Sequence, residues 1–238
     1  MSNHDRQHFL DLCDEVDLAL SEVLCEPGER IRHAYFPIDG VISLVAPVDG
    51  PGRLEVGLVG HEGMFGTPLV LGVETSPLQA LVQGPGASLR MDADLFRREL
   101  ARSRELQGTL DRYLCVRMAQ LARAVACTRF HVVEARLARL LLAAQDRARS
   151  RALHVTHEFL AVMLGVRRVG VTKAASALQK RRLIRYTRGD ITILDRPGLQ
   201  SASCECYQVD RDTYARIMSD NPQRPRSRVA DVHSAIPT

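Results

Sequence analysis

The sequence predicts an α+β protein in three parts: an N-terminal antiparallel β-roll of jelly-roll type, one long helix, and a C-terminal winged helix-turn-helix. Three observations predict it. Residues 17–91 hold six short β-rich runs separated by glycine turns. Residues 104–127 carry a long apolar stripe at helical spacing. Residues 155–194 read as two short helices joined by a tight turn, followed by a hairpin. At 238 residues and 45% hydrophobic content, the chain is long enough for two cores.

In chain order, residues 1–15 read as a short helix or a loose lead-in. The predicted strands are Leu18–Leu24, Arg32–Phe36, Gly40–Val45, Leu54–Val59, Leu78–Val82 and Ala87–Met91. Pro27-Gly28, Asp39-Gly40, Asp49-Gly50-Pro51-Gly52, Gly60, Gly63, Gly66 and Gly84-Pro85-Gly86 punctuate them. Asp92 or Asp94 can cap a short helix through Leu100. The long helix, Arg104–Cys127, aligns Leu106, Leu110, Tyr113, Leu114, Met118, Leu121 and Val125. A stripe this long is read as a seam against a second copy, with core within one chain as the alternative. Arg129–Ala148 gives a further helix.

Thr156 is a good N-cap, Phe159, Leu160, Met163 and Leu164 recur at helical spacing, and Gly165 supplies the left-handed stop. A second helix follows, with Val166, Val171, Ala174, Ala175 and Leu178 apolar and Arg167, Arg168, Gly170, Thr172 and Lys173 opposite. Leu183–Tyr186 and Ile191–Leu194 flank the turn Thr187-Arg188-Gly189-Asp190 and form the wing. From Pro197 the chain reads as helical to about Met218, and residues 221–238 as disordered.

Charge divides the chain as the pattern does. Residues 1–100 hold 7 basic and 16 acidic residues, net −9, whereas 151–190 hold nine basic and two acidic, net +7. Thirty of the 32 basic residues are Arg, which suits bidentate contact with phosphate or guanine. An acidic front and a basic back suggest one part that senses and one that binds a polyanion. Met1–Leu20 is polar and acidic, and no run approaches the roughly 20 apolar residues of a membrane span. A cytoplasmic location without membrane contact is expected, with the six cysteines reduced. No glycine phosphate loop, G-x-S-x-G or H-E-x-x-H is present, so no enzyme is expected.

This order of elements resembles the Crp/Fnr superfamily of bacterial transcription regulators over residues 15–195. The resemblance is strongest at Val155–Leu194 and next at Glu26-Pro27-Gly28-Glu29, Asp39-Gly40 and Gly63-Met64-Phe65-Gly66. It implies a cyclic-nucleotide-binding-like roll over 1–100, a dimerisation helix over 101–128, a winged helix-turn-helix over 129–200 and a tail over 201–238. It also implies a homodimer on a pseudo-palindromic operator of double-stranded DNA, with half-sites about 34 Å apart. RNA polymerase is a further partner the family allows. The base-reading set it implies is Arg167, Arg168, Val169, Gly170, Thr172 and Lys173. Thr156, His157 and Arg188 are expected on phosphates. Where family members read with Arg-Glu, Val169 follows Arg168, so a different operator is expected.

The family's cyclic-nucleotide residues are replaced. Thr67-Pro68 follows Phe65-Gly66, Pro77-Leu78 stands at the phosphate-binding Arg-Ser place, and Leu121-Ala122 stands at the adenine-reading pair. A buried phosphate without its Arg costs several kcal/mol, so cyclic AMP is not expected. Cys13 and Cys25 stand too far apart for the family's cluster run, so no iron–sulfur cluster is expected. Two alternatives remain for the roll: a sensor of another small molecule, of haem through His33, His61 or Met64, or of redox state; or a scaffold that contacts polymerase. Cys204-Glu205-Cys206 with His154 or His157 could hold zinc, but C-x-C without a second pair is read as free thiols, and no metal is expected.

Overall fold

The computed structural model describes residues 3–48, 53–148, 152–187 and 189–219. After α1 (Asn3–Asp11) the roll comprises β1 (Asp14–Leu18), β2 (Val23–Cys25), β3 (His33–Pro37), β4 (Val41–Pro47), β5 (Arg53–Val59), the short α2 (Thr67–Val70), β6 (Gln79–Gly84) and β7 (Gly86–Asp92). The strands form two antiparallel sheets, in the orders β1-β7-β3 and β2-β6-β4-β5. Strand alternation gives β4 and β5 two buried faces. Ile42 and Val59 point into the roll core, whereas Val41 and Leu58 join the core of the C-terminal half.

One predicted strand is corrected. Leu18–Leu24 is broken, because the chain reverses after Leu18 and β1 and β2 enter different sheets. The cause is local: the Glu22 carboxylate accepts from the amide of Ala19 at 3.0 Å, and the amide of Glu22 donates to the Ala19 carbonyl. Ser21 lies between them at φ 67°.

Asp92 caps α3 (Ala93–Arg102) through the amides of Asp94 and Leu95, and Ser103 caps α4 (Arg104–Phe130) through that of Leu106. The first half of α4 packs on the roll, burying Leu106, Leu110, Tyr113, Val116 and Arg117. The amide of Met64 donates to the Tyr113 hydroxyl at 3.3 Å. Arg117 donates to the Leu58 carbonyl at 3.0 Å, and its guanidinium fills the place that a side chain on Gly57 would take. Beyond Arg117 the stripe turns outward: Met118 is 70% and Val125 73% exposed.

The C-terminal half contains α5 (Val133–Ala148), β8 (Ala152–His154), α6 (His157–Leu164), α7 (Arg168–Lys180), β9 (Ile184–Thr187), β10 (Asp190–Ile193), α8 (Arg196–Ala202) and α9 (Cys206–Met218). The wing has three strands, ordered β8-β10-β9, where two were predicted. Leu137, Leu141, Leu160, Val171, Leu178, Ile184 and Ile191 form the core. Arg136 is buried among them, and its guanidinium donates to the Leu164 carbonyl at the end of α6. Finally, α9 returns to α4 and the roll. Asp210 takes Arg123 at 3.1 Å and Arg139 at 3.5 Å, and the Tyr214 hydroxyl donates to the Glu62 carbonyl at 2.8 Å. No described helix is long and apolar enough to cross a membrane. The disorder expected over 221–238 lies outside the described residues.

Candidate nucleic-acid interface

The interface is built by two helix starts. At α6, the Thr156 oxygen accepts from the amide of Phe159 at 3.1 Å, which leaves the hydroxyl proton available to an acceptor. Gly165 ends the helix at φ 60°, and a Cβ there would press on Leu54 of β5 at 2.9 Å, so the turn requires glycine. At α7, Arg167 is the N-cap and provides no side-chain bond, so the amides of Arg168 and Val169 keep their donors, while that of Gly170 donates to the Arg167 carbonyl at 2.8 Å.

α7 buries Val171, Ala174, Ala175 and Leu178, at the i, i+3, i+4, i+7 spacing of one face. The opposite face shows Arg167, Arg168, Val169, Thr172 and Lys173, all exposed, with Gly170 half-buried between them. Val169 is 59% exposed, an apolar side chain amid cations. The nearest acid, Glu158, stands 3.9 Å from Arg168, and water screens both exposed groups, so the pairing is weak. Two inward bonds organise this surface. His157 Nδ1 lies 3.1 Å from Thr172 Oγ1, and the imidazole stacks on Tyr186 at 4.1 Å between centroids. Burial, and then the nearby Arg168, hold the His157 pKa below its ordinary value, which favours the neutral ring.

Eight of the nine residues expected from sequence therefore lie at or beside the two helix starts. The ninth, Arg188, lies outside the described residues. Two positioning residues were missed. Tyr186 holds His157 in place, and Gln179 accepts from the Tyr186 amide at 3.1 Å, tying the wing to α7. Their only sequence signal was an aromatic side chain in an alternating strand.

The surface offers guanidinium forks, an ammonium, a hydroxyl, free helix amides and one apolar contact. Together these suit a phosphodiester backbone with base edges between its strands. The ligand candidates of the roll are scattered by comparison. Met64 is buried, His33 packs edge-on to Tyr35, and His61 lies against the Arg147 carbonyl at 3.3 Å. Cys204 and Cys206 stand beside Cys127 and His131 rather than His157. A cavity of about 430 Å³ opens between β5, α4, α5 and α9, with Glu55, Arg117, Arg139 and Asp210 among its walls. Burial of the Glu55 carboxyl against this wall pushes its pKa up to about 8, opposed by the Ser43 hydroxyl and then by three arginines.

Residues 135–202 match the family model described as the Crp-like helix-turn-helix domain. Solved structures of regulators share the fold of the chain. FixK2 from Bradyrhizobium japonicum is 14% identical, with a TM-score of 0.66 over 81% of this chain and 98% of that one. The c-di-GMP responsive global regulator CLP of Xanthomonas campestris is 18% identical, with a TM-score of 0.64 over 81% and 99%. A CRP/FNR-family transcriptional regulator from Thermus thermophilus is 24% identical, with a TM-score of 0.60 over 80% and 98%. At these identities the likeness is one of fold. No curated protein matches the sequence.

Proposed function

The chain carries a Crp-like helix-turn-helix domain on the fold of Crp/Fnr regulators, and from that premise we propose that it regulates transcription by binding a specific, pseudo-palindromic DNA operator as a homodimer. The observation that carries the proposal is the outward face of α7. There, Arg167, Arg168, Val169, Thr172 and Lys173 surround a helix start with free amides. Arg168 reads guanine, Val169 touches a thymine methyl, and Thr156 and Arg188 hold phosphates. We assign the roll to residues 1–100, the dimer helix to 101–128, the DNA-binding part to 129–200 and the tail to 201–238. The seam is the exposed half of α4, where Met118, Leu121 and Val125 follow coiled-coil spacing. No catalytic step is assigned.

Arg168→Ala is expected to cost about 1–3 kcal/mol of specific binding and much less of nonspecific binding. Arg188→Ala is expected to weaken both about equally. Equal losses for both variants in an operator-selection and titration experiment would overturn these roles.

We further propose that cyclic AMP does not control this roll. Pro77 and Ala122 are exposed, Leu121 points outward, and no arginine replaces the one missing beside Pro77-Leu78 in the sequence. The cavity supports a second reading, in which a small molecule between β5, α4, α5 and α9 sets the relation of roll to DNA-binding part. Its volume suits a small metabolite, and its walls carry both signs of charge. Thermal-shift measurement separates these readings. A ligand that binds only the folded state, at about 100 times its Kd, adds about 2.7 kcal/mol. A clear shift with cyclic AMP would overturn the first reading.

A further inference from the structure

The end of α4, the turn after it and the turn between α8 and α9 bring together four side chains that the DNA-facing surface does not use. Cys127 lies in the last turn of α4, and His131 is the C-cap four residues on, so both lie on one face. Cys204 lies between α8 and α9, and Cys206 opens α9. The three cysteines are buried and form a small cluster of their own, apart from both large cores, and among the described hydrophobic residues Ala135 alone packs against it. Three thiols and one methyl are too little apolar surface to explain the convergence as packing.

The spacing is informative. The four ligand atoms all lie within 4.8 Å of one another. Cys127 Sγ and Cys204 Sγ are 3.6 Å apart, and so are Cys206 Sγ and His131 Nδ1. Zinc–sulfur bonds of about 2.3 Å and zinc–nitrogen bonds of about 2.0–2.1 Å, at tetrahedral angles, place two thiolates roughly 3.8 Å apart and a thiolate and an imidazole nitrogen roughly 3.6 Å apart. Both short pairs fall close to those edges. A disulfide would bring two sulfurs to about 2.05 Å and leave the other two groups without a role. An iron–sulfur cluster would spread its thiolates over more than one iron, not around a single centre.

The charges also fit. Three thiolates and a divalent ion sum to about −1, and Arg139 is the nearby cation, opposing the Cys127 contact and burial that push Cys204 up and the burial that pushes Cys206 up.

We propose that Cys127, His131, Cys204 and Cys206 bind one tetrahedral, zinc-class divalent ion. The ion holds the corner between α4 and α5 against the turn between α8 and α9. Each thiol that binds as a thiolate releases its proton to solvent, and no electron is transferred. The sequence alone favoured free thiols, because it offered no second ligand pair; the fold supplies one 77 positions away from Cys204. The proposal stands independently of the DNA-binding reading, since every readout below is spectroscopic or thermal.

The test is cobalt(II) titration of the freshly reduced full chain, with elemental analysis of protein purified from zinc-supplemented cells. The expected result is one equivalent of zinc per chain. Cobalt should give thiolate charge-transfer absorption with tetrahedral d–d bands, saturating at one equivalent and abolished by one equivalent of zinc. Cys206→Ser should lose the charge-transfer signal, whereas Cys115→Ser, at an exposed cysteine outside the cluster, should retain it. Because a cluster variant can fail to fold, the unaltered chain is also stripped with a chelator. Its Tm should fall by several degrees and return with zinc. An octahedral cobalt spectrum, iron with acid-labile sulfide, or a Cys127–Cys204 disulfide in the purified chain would each overturn the assignment.

Discussion

The two halves of α4 obey opposite rules within one helix. Up to Arg117, the residues at core spacing are buried, and polar atoms are engaged by the roll: Tyr113 by the Met64 amide and Arg117 by the Leu58 carbonyl. From Met118 onward the large apolar residues Met118, Leu121 and Val125 face out, and Cys127 is buried again. The helix spans about 40 Å; the roll covers its first half, α9 touches the second at Arg123, and Met118, Leu121 and Val125 are left exposed. A stripe that looks uniform in sequence is therefore core in its first half and exposed surface in its second, the half proposed above as the dimer seam.

The sharpest test of the first half is Leu110→Ala, which opens a cavity against the roll. A loss of about 2–5 kcal/mol in denaturant unfolding is expected, and a loss under 1 kcal/mol would place this half outside the core. In the second half, Met118→Glu with Val125→Glu should leave the unfolding free energy of the isolated chain within about 0.5 kcal/mol per substitution while halving the particle mass of the proposed homodimer in sedimentation. Persistence of the dimer would erase the distinction.

Glu55 probes the divide itself, beside Arg117. Its folded pKa of about 8 lies above the ordinary 4.5. Between these values the unfolded chain has released the proton and the folded chain still holds it. Stability therefore falls as pH rises through this window and levels off above it. Glu55→Gln should remove that slope, worth on the order of 1–2 kcal/mol once screening by water in the cavity is allowed for. Identical slopes in the two proteins would show the carboxylate ionised and solvated. The smallest effect belongs to Gly108, where an added Cβ meets nothing within 4 Å. Gly108→Ala should stabilise by about 0.5–1 kcal/mol through backbone entropy. Destabilisation there would mean that the first half also carries a partner.

What the sequence made legible was local. Thr156, Gly165 and the apolar period placed both helices of the C-terminal half, because caps and periodicity act within a few residues. Gly66 and the acidic cap at Asp92 likewise marked real element ends. What it hid was distant. Three residues, Ala152–His154, become a strand only because β10 is there to pair with them. Leu18–Leu24 keeps its alternation through a reversal that one carboxylate, Glu22, creates. The split of α4 depends on where the roll ends, and the grouping of Cys127 with Cys204 depends on the whole path between them. The exposed face of α7 was legible because a helix pattern names both of its sides; the stacking of His157 on Tyr186 was not.

The bond from Tyr214 to the Glu62 carbonyl joins positions 152 apart, and with the Asp210 pairs it sets the order in which the protein can be completed. During synthesis, the roll and α4 leave the ribosome long before α9 exists. The outer surface of α4 near Arg123 and the wall of the cavity stay uncovered until the final described helix arrives. Long-range closures of this kind come late. A nascent chain already holding its helix-turn-helix thus still lacks the α9 contacts at Arg123, Arg139 and Glu62.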